Sequence, residues 1–281
     1  MSTTVGPVQI AFLVLAGILG GVVGTAGGIA SLVTYPALLA AGLNPLQANV
    51  SNTVAVISGA VASSAASREE LRVHRQRLPG WALVAVAGGT AGAVLLLVTP
   101  PGVFAWIVPF LIASAAVLVL VRPAVDKTSA PAAAAAGTAA AGSRSRLATG
   151  RPVATWRPVE TWRMVVAAVA LCAVCVYSGY FGAGAGILTL AIVLLLVDPD
   201  LVRANAVKNA LTACAGVMPA VMFAVLADVA WWAVVPLAVG SGIGGALGPA
   251  VTRRLDPRVL RTAVAVMGFG LAAWLLVRAA G

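Results

Sequence analysis

Two small polar clusters carry most of the chemistry that this chain could perform. Asn49, Asn52 and Thr53 are spaced i, i+3, i+4, so on a helix they share one face. Asn205, Lys208 and Asn209 repeat the spacing, with Thr212 one turn further on. Carboxamides, a hydroxyl and one ammonium all donate hydrogen bonds, and in an apolar setting such a group suits a small oxyanion. The plainer alternative is hydrogen bonding between helices, with Lys208 snorkelling to a nearby interface. Snorkelling is disfavoured because the apolar segment before Lys208 is short, which sets its helix start deep. Lys208 also shares its face with amides rather than with aliphatic side chains.

Each polar cluster follows a glycine cluster. Gly24, Gly27, Gly28 and Ile29 are echoed by Gly182, Gly184, Gly186 and Ile187, at an offset of 158 for the closest matches. Ala48-Asn49-Val50-Ser51-Asn52-Thr53 is echoed by Ala204-Asn205-Ala206-Val207-Lys208-Asn209 at an offset of 156. Glycines inside apolar segments either let helices pack closely or break them. A break would turn a half-helix N-terminus inward, and such an end favours anions. The repetition favours the break. A duplicated apolar unit with interrupted helices is the layout of a secondary transporter.

Other chemistry finds little material. Cys172-x-x-Cys175 and Cys214 lie in apolar runs, where cysteine serves as a small hydrophobe. His74 is the one histidine, and a single imidazole with no carboxylate cluster makes no metal site. Asp198, Asp200 and Asp228 fall at span ends, as capping residues do. No catalytic triad or paired carboxylate is visible, and no nucleotide-binding context surrounds the glycines. Neither catalytic residue, metal nor cofactor is expected.

These residues must be positioned by lipid-embedded helices. The chain has 281 residues, 61% hydrophobic and 9% charged, far below the roughly 25% charge of soluble domains. In lipid the backbone must satisfy itself, which leaves helix bundles or closed barrels, and these runs are too long and continuous for barrel strands. Ten apolar segments are predicted: 8–24, 28–42, 46–66, 79–99 and 103–121, then 162–181, 186–197, 202–226, 230–251 and 258–277. The second of each five is too short to cross a core of about 30 Å, so eight full spans plus broken elements is the alternative count. Asn44-Pro45, Asp198-Pro199 and Asp256-Pro257 read as N-caps followed by a first-turn proline.

The net charge is +10, and the basic residues flank spans. Arg68, Arg72, Arg75 and Arg77 share one loop, a second group sits in and beside the central connection, and Arg253, Arg254, Arg258 and Arg261 surround another loop. Placing these in the cytoplasm leaves the N-terminus outside. The basic loop Ser67 to Leu78 then corresponds to Ala227 to Val229, which carries only Asp228. Opposite charge at equivalent loops is the mark of inverted repeats. The predicted organisation is a transmembrane repeat over 1–122, a cytoplasmic Ala/Pro/Gly-rich linker over 123–157 and a second repeat over 158–281. Nucleic-acid binding is excluded because no soluble domain presents the charge.

At Gly20 to Leu39, Gln47 to Val54, Gly179 to Leu190, Arg203 to Asn209 and Gly240 to Leu260 the chain resembles the TauE/SafE family of sulfite exporters. That resemblance implies a multi-pass plasma-membrane permease for sulfite, a sulfonate or another small organic anion. The expected partners are that anion and the bilayer, with a homo-oligomer left open. The candidate substrate-binding residues are Asn49, Asn52, Thr53, Asn205, Lys208 and Asn209 with Gly24, Gly27, Gly28, Gly182, Gly184 and Gly186. A channel-like or scaffold membrane protein is the alternative, and an embedded enzyme a weaker one.

Overall fold

In a computed structural model, residues 6–121 and 161–252 are described. The tenth predicted segment, the 123–157 linker and Asp256-Pro257 lie outside them. Every regular element among the described residues is helical. The elements are α1 (Pro7–Gly27), α2 (Ser31–Ala40), α3 (Pro45–Ala66), α4 (Arg68–Leu71) with a 3₁₀ turn at Arg72–His74, α5 (Leu78–Val98) and α6 (Pro101–Val121). The second half supplies α7 (Thr161–Tyr180), α8 (Ala185–Leu196), α9 (Leu201–Leu226) and α10 (Trp231–Thr252).

The surface is inside out relative to a soluble protein. Leu15, Leu19, Leu83, Leu95, Val98, Val221 and Val225 are exposed, while Thr34, Asn49, Ser51, Asn52, Lys208, Asn209 and Ser241 are buried. Only a bilayer makes that arrangement favourable, since polar groups in hydrocarbon turn to the bundle interior. α1, α5, α9 and the Trp231–Gly248 part of α10 are each long and apolar enough to cross a membrane. Trp106, Trp231 and Trp232 stand exposed near helix starts, as interfacial aromatics do. The chain is a polytopic integral membrane protein.

Two expectations need correction. The first helix continues through Gly24 and Gly27 to a left-handed Gly28 (φ 72°), whose N–H closes on the Gly24 carbonyl. A left-handed residue just past the last turn is what ends a helix here, and glycine bears it without a Cβ penalty. Gly24 therefore packs rather than breaks, because a Cβ there would overlap Ala30 of the α1–α2 turn. Asp198 is not the cap of α9. Asp200 accepts from the N–H groups of Val202 and Arg203, and Asp198 instead accepts from the Asp200 N–H. Asn44 caps α3 through the Gln47 N–H as expected. The basic loop holds a short helix and its 3₁₀ turn, bent 71° from α3.

Packing in one half mirrors packing in the other. α1 lies along α10 as α7 lies along α5, and α3 packs on α10 as α9 packs on α5. The correspondence reaches single residues. Gly59 abuts Gly245 where Ala215 abuts Gly89, and Gly21 abuts Gly245 where Gly179 abuts Gly89. Between helices in lipid there is no hydrophobic drive, so close backbone approach at small residues supplies the attraction. Gly28 and Gly186 meet each other: a Cβ on either would sit 2.4 Å from the other's Cα. These two residues stand 158 apart, so equivalent points of the two halves touch at the centre of the bundle.

α3 and α9 lie side by side and run in opposite directions. Gln47, in the first turn of α3, bonds Asp228 just beyond the end of α9. His74, just beyond α3, bonds Asp198 just before α9.

Candidate functional site

The two helix breaks and the middles of α3 and α9 line a cavity of about 100 Å³. That is room for several waters or one small ion, a water occupying about 30 Å³ in the liquid. Its wall is drawn from both halves at equivalent positions: Gly24 with Gly182, Gly28 with Gly186, Thr53 with Asn209, Val56 with Thr212 and Ala60 with Gly216. Ser31, Ser63, Ser178 and Ser241 add hydroxyls. Phe181 closes one side and stacks edge-on against Tyr35 at 5.5 Å.

The wall contains donors without acceptors. Asn209 and Ser241 are 3% and 1% exposed, and neither Asn209 Nδ2 nor Ser241 Oγ has a hydrogen-bond partner. An orphaned buried polar group costs about 1–3 kcal/mol, so it needs something to bond. Thr53, the counterpart of Asn209, has already spent its hydroxyl on the Asn49 carbonyl at 3.0 Å.

Of the twelve predicted residues, Gly24, Gly28, Thr53, Gly182, Gly186 and Asn209 line the cavity. The other six surround or support it. Asn52 donates to Ser31 Oγ at 3.1 Å and accepts from Thr34 Oγ1, fastening α3 to α2. Asn49 Nδ2 donates to the Tyr180 carbonyl at 3.0 Å, at the end of α7. Asn205 is half-buried on α9 with an unpartnered Oδ1. Gly27 is in the last turn of α1, and Gly184 (φ 76°) precedes α8.

Lys208 does not snorkel. It is 1% exposed, and its Nζ donates to the carbonyls of Gly24 at 3.0 Å and Thr25 at 2.9 Å. These belong to the last turn of α1, where the Gly24 carbonyl already accepts from the Gly28 N–H and the helix dipole favours a cation. The ammonium therefore stands behind the cavity wall formed by Gly24 and Thr25.

Sequence reasoning missed Ser241, Ser63 and His74. Ser241 lies in Gly240-Ser241-Gly242, a polar residue among glycines with Ala85 at the equivalent place in the first half. Having no echo, it gave no repeat signal. His74 was set aside as a loop residue, yet it is buried against Asp198 at 2.8 Å.

The family model for the sulfite exporter TauE/SafE matches residues 10–275. A probable membrane transporter protein, ORF9, of Sinorhizobium sp. is 34% identical over 116 residues, 41% of this chain. That match spans 44% of the relative's own length, less than half of it. The probable membrane transporter protein YfcA of Escherichia coli K12 is 22% identical over 97% of this chain and 91% of its own. No solved structure matches the chain significantly. The chain belongs to the TauE/SafE sulfite exporter family.

Proposed function

We propose that this member of the TauE/SafE family, a multi-pass membrane transporter, moves a small anion such as sulfite or a sulfonate across the plasma membrane by alternating access. The observation that carries the reading is the pair of buried donors, Asn209 Nδ2 and Ser241 Oγ, facing one cavity without acceptors. An oxyanion brings acceptors and no donors, so it fills what the wall lacks. Lys208 behind the wall and the arginines of the 68–77 loop bias the potential toward anions. The protein acts as a carrier rather than as an enzyme.

The opposed run of α3 and α9, with mirrored packing, supports reading the halves as inverted repeats. The basic loop then faces the cytoplasm and the N-terminus lies outside. Rocking one half against the other about the Gly28–Gly186 contact would expose the cavity to each side in turn.

The test is flux in proteoliposomes loaded with sulfite, thiosulfate or a short sulfonate. The expected result is saturable exchange with competition among anions, weakened in Asn209→Ala to a higher half-saturating concentration. Ohmic conductance without saturation would point to a channel, and no flux of any anion would remove the reading.

A further inference from the structure

We infer that the bundle carries a latch at each end, built from corresponding elements of the two halves, and that the latches open in alternation. The inference rests on the transporter reading. At one end His74 and Asp198 join the loop after α3 to the turn before α9, Nε2 to Oδ2 at 2.8 Å. At the other end Gln47 Nε2 donates to Asp228 Oδ2 at 2.9 Å, joining the first turn of α3 to the loop after α9. Exchanging the halves carries each bond onto the other pair of helix ends, although Gln47 sits inside α3 and Asp198 ahead of α9.

Both latches tie an end of α3 to an end of α9, the two helices whose middles wall the cavity. A path to either end requires those ends to part. With both bonds formed the ends of α3 and α9 are held together at both sides of the cavity; releasing one while the other holds would part a single side. The latches differ in strength. His74 and Asp198 are buried, and Asp198 Oδ1 also accepts from the Asp200 N–H that begins the α9 cap. Asp228 is exposed and Gln47 half-exposed, so water competes for that bond. His74 and Gln47 touch no substrate and act as positioning residues.

The test uses the full chain in detergent with Cys172→Ala, Cys175→Ala and Cys214→Ala. Two buried reporters follow the ends. Ser63→Cys lies in the cavity wall on the His74 side, and Val50→Cys lies one turn inside Gln47. The rate of reaction with a charged maleimide is read for each. His74→Ala is expected to raise the Ser63→Cys rate about tenfold and to lower the Val50→Cys rate, with Gln47→Ala doing the reverse. His74→Gln keeps a donor for Asp198 and should restore the original rates. If His74→Ala does not fold, Gln47→Ala decides alone, since its bond lies at the surface. It must raise the Val50→Cys rate and not the Ser63→Cys rate. Equal movement of both reporters in one variant, or none in either, overturns the latches. Absent anion flux in the parent chain would remove the transport reading while leaving these rates to stand; intact flux with unmoved rates would remove the latches alone.

Discussion

Positions 52 and 208 occupy corresponding turns of α3 and α9, yet they work in opposite directions. Asn52 stays within its own half, bonded to Ser31 and Thr34 of α2. Lys208 crosses to the other half and holds the last carbonyls of α1. In the first half that crossing falls to Asn49, one turn earlier, which holds Tyr180 at the end of α7. Each half thus grips the first helix of the other by its C-terminus. The mirrored packing sets where a donor is needed; the residue that meets the need differs by a turn, and is an amide in one half and an ammonium in the other. A cation at a helix C-terminus is the stronger solution, so the grip and the charge are both lopsided toward the second half. The cavity shares the asymmetry, because Thr53 bonds its own helix while Asn209 offers an unspent donor.

The largest effect should come from removing what the halves have in common. Gly186→Ala places a methyl group against the Gly28 backbone and should leave no monodisperse protein on size exclusion in detergent. Gly42→Ala, at φ 99° with open space around it, should fold and lose about 1–2 kcal/mol. Equal outcomes would dissolve the idea of a central contact.

The grips come next. Lys208→Met strips charged hydrogen bonds from α1 and should cost about 3 kcal/mol, against about 1 kcal/mol for Asn49→Leu at α7. Thermal melting in detergent measures both. A larger loss at Asn49 would reverse the comparison.

A smaller effect separates the two cavity walls. Asn209→Ala should raise the half-saturating anion concentration about tenfold, worth about 1.4 kcal/mol, while Thr53→Ala leaves it within about twofold. Flux titrations in proteoliposomes would show it, and matched shifts would mean that both halves bind alike.

The smallest is at the surface. Gln47→Ala should change thermal stability by less than about 1 kcal/mol, because its pair is in water. His74→Ala strands a buried carboxylate and should cost about 3 kcal/mol or more. Melting curves of the two variants check the ordering.

Much of this was legible in the residues. Among the described residues the helices could be placed to within a few residues because lipid demands long apolar runs, and the paired clusters pointed to elements that pack alike. The i, i+3, i+4 spacing put Asn49 with Asn52 and Lys208 with Asn209 on buried faces. What the pattern could not tell was which buried donor faces the cavity and which caps a helix. Both kinds are apolar-flanked and share a face, and only the partner across the bundle distinguishes Asn209 from Lys208. Ser241 escaped because a reading built on repeats is blind to a residue without a copy. The break was placed at Gly24 to Gly28 as a group because glycines that pack and glycines that turn are spelled alike. Only Gly28 has the left-handed backbone that ends α1.

The central claim is that the two halves cross the membrane in opposite senses around a shared cavity. Sided labelling tests it most directly, with Val73→Cys in the basic loop and Asp228→Cys in its counterpart, each in a chain without native cysteines. The account predicts that an impermeant thiol reagent added to intact cells reaches the Asp228→Cys site and not the Val73→Cys site. Both sites reacting from the same face would contradict it.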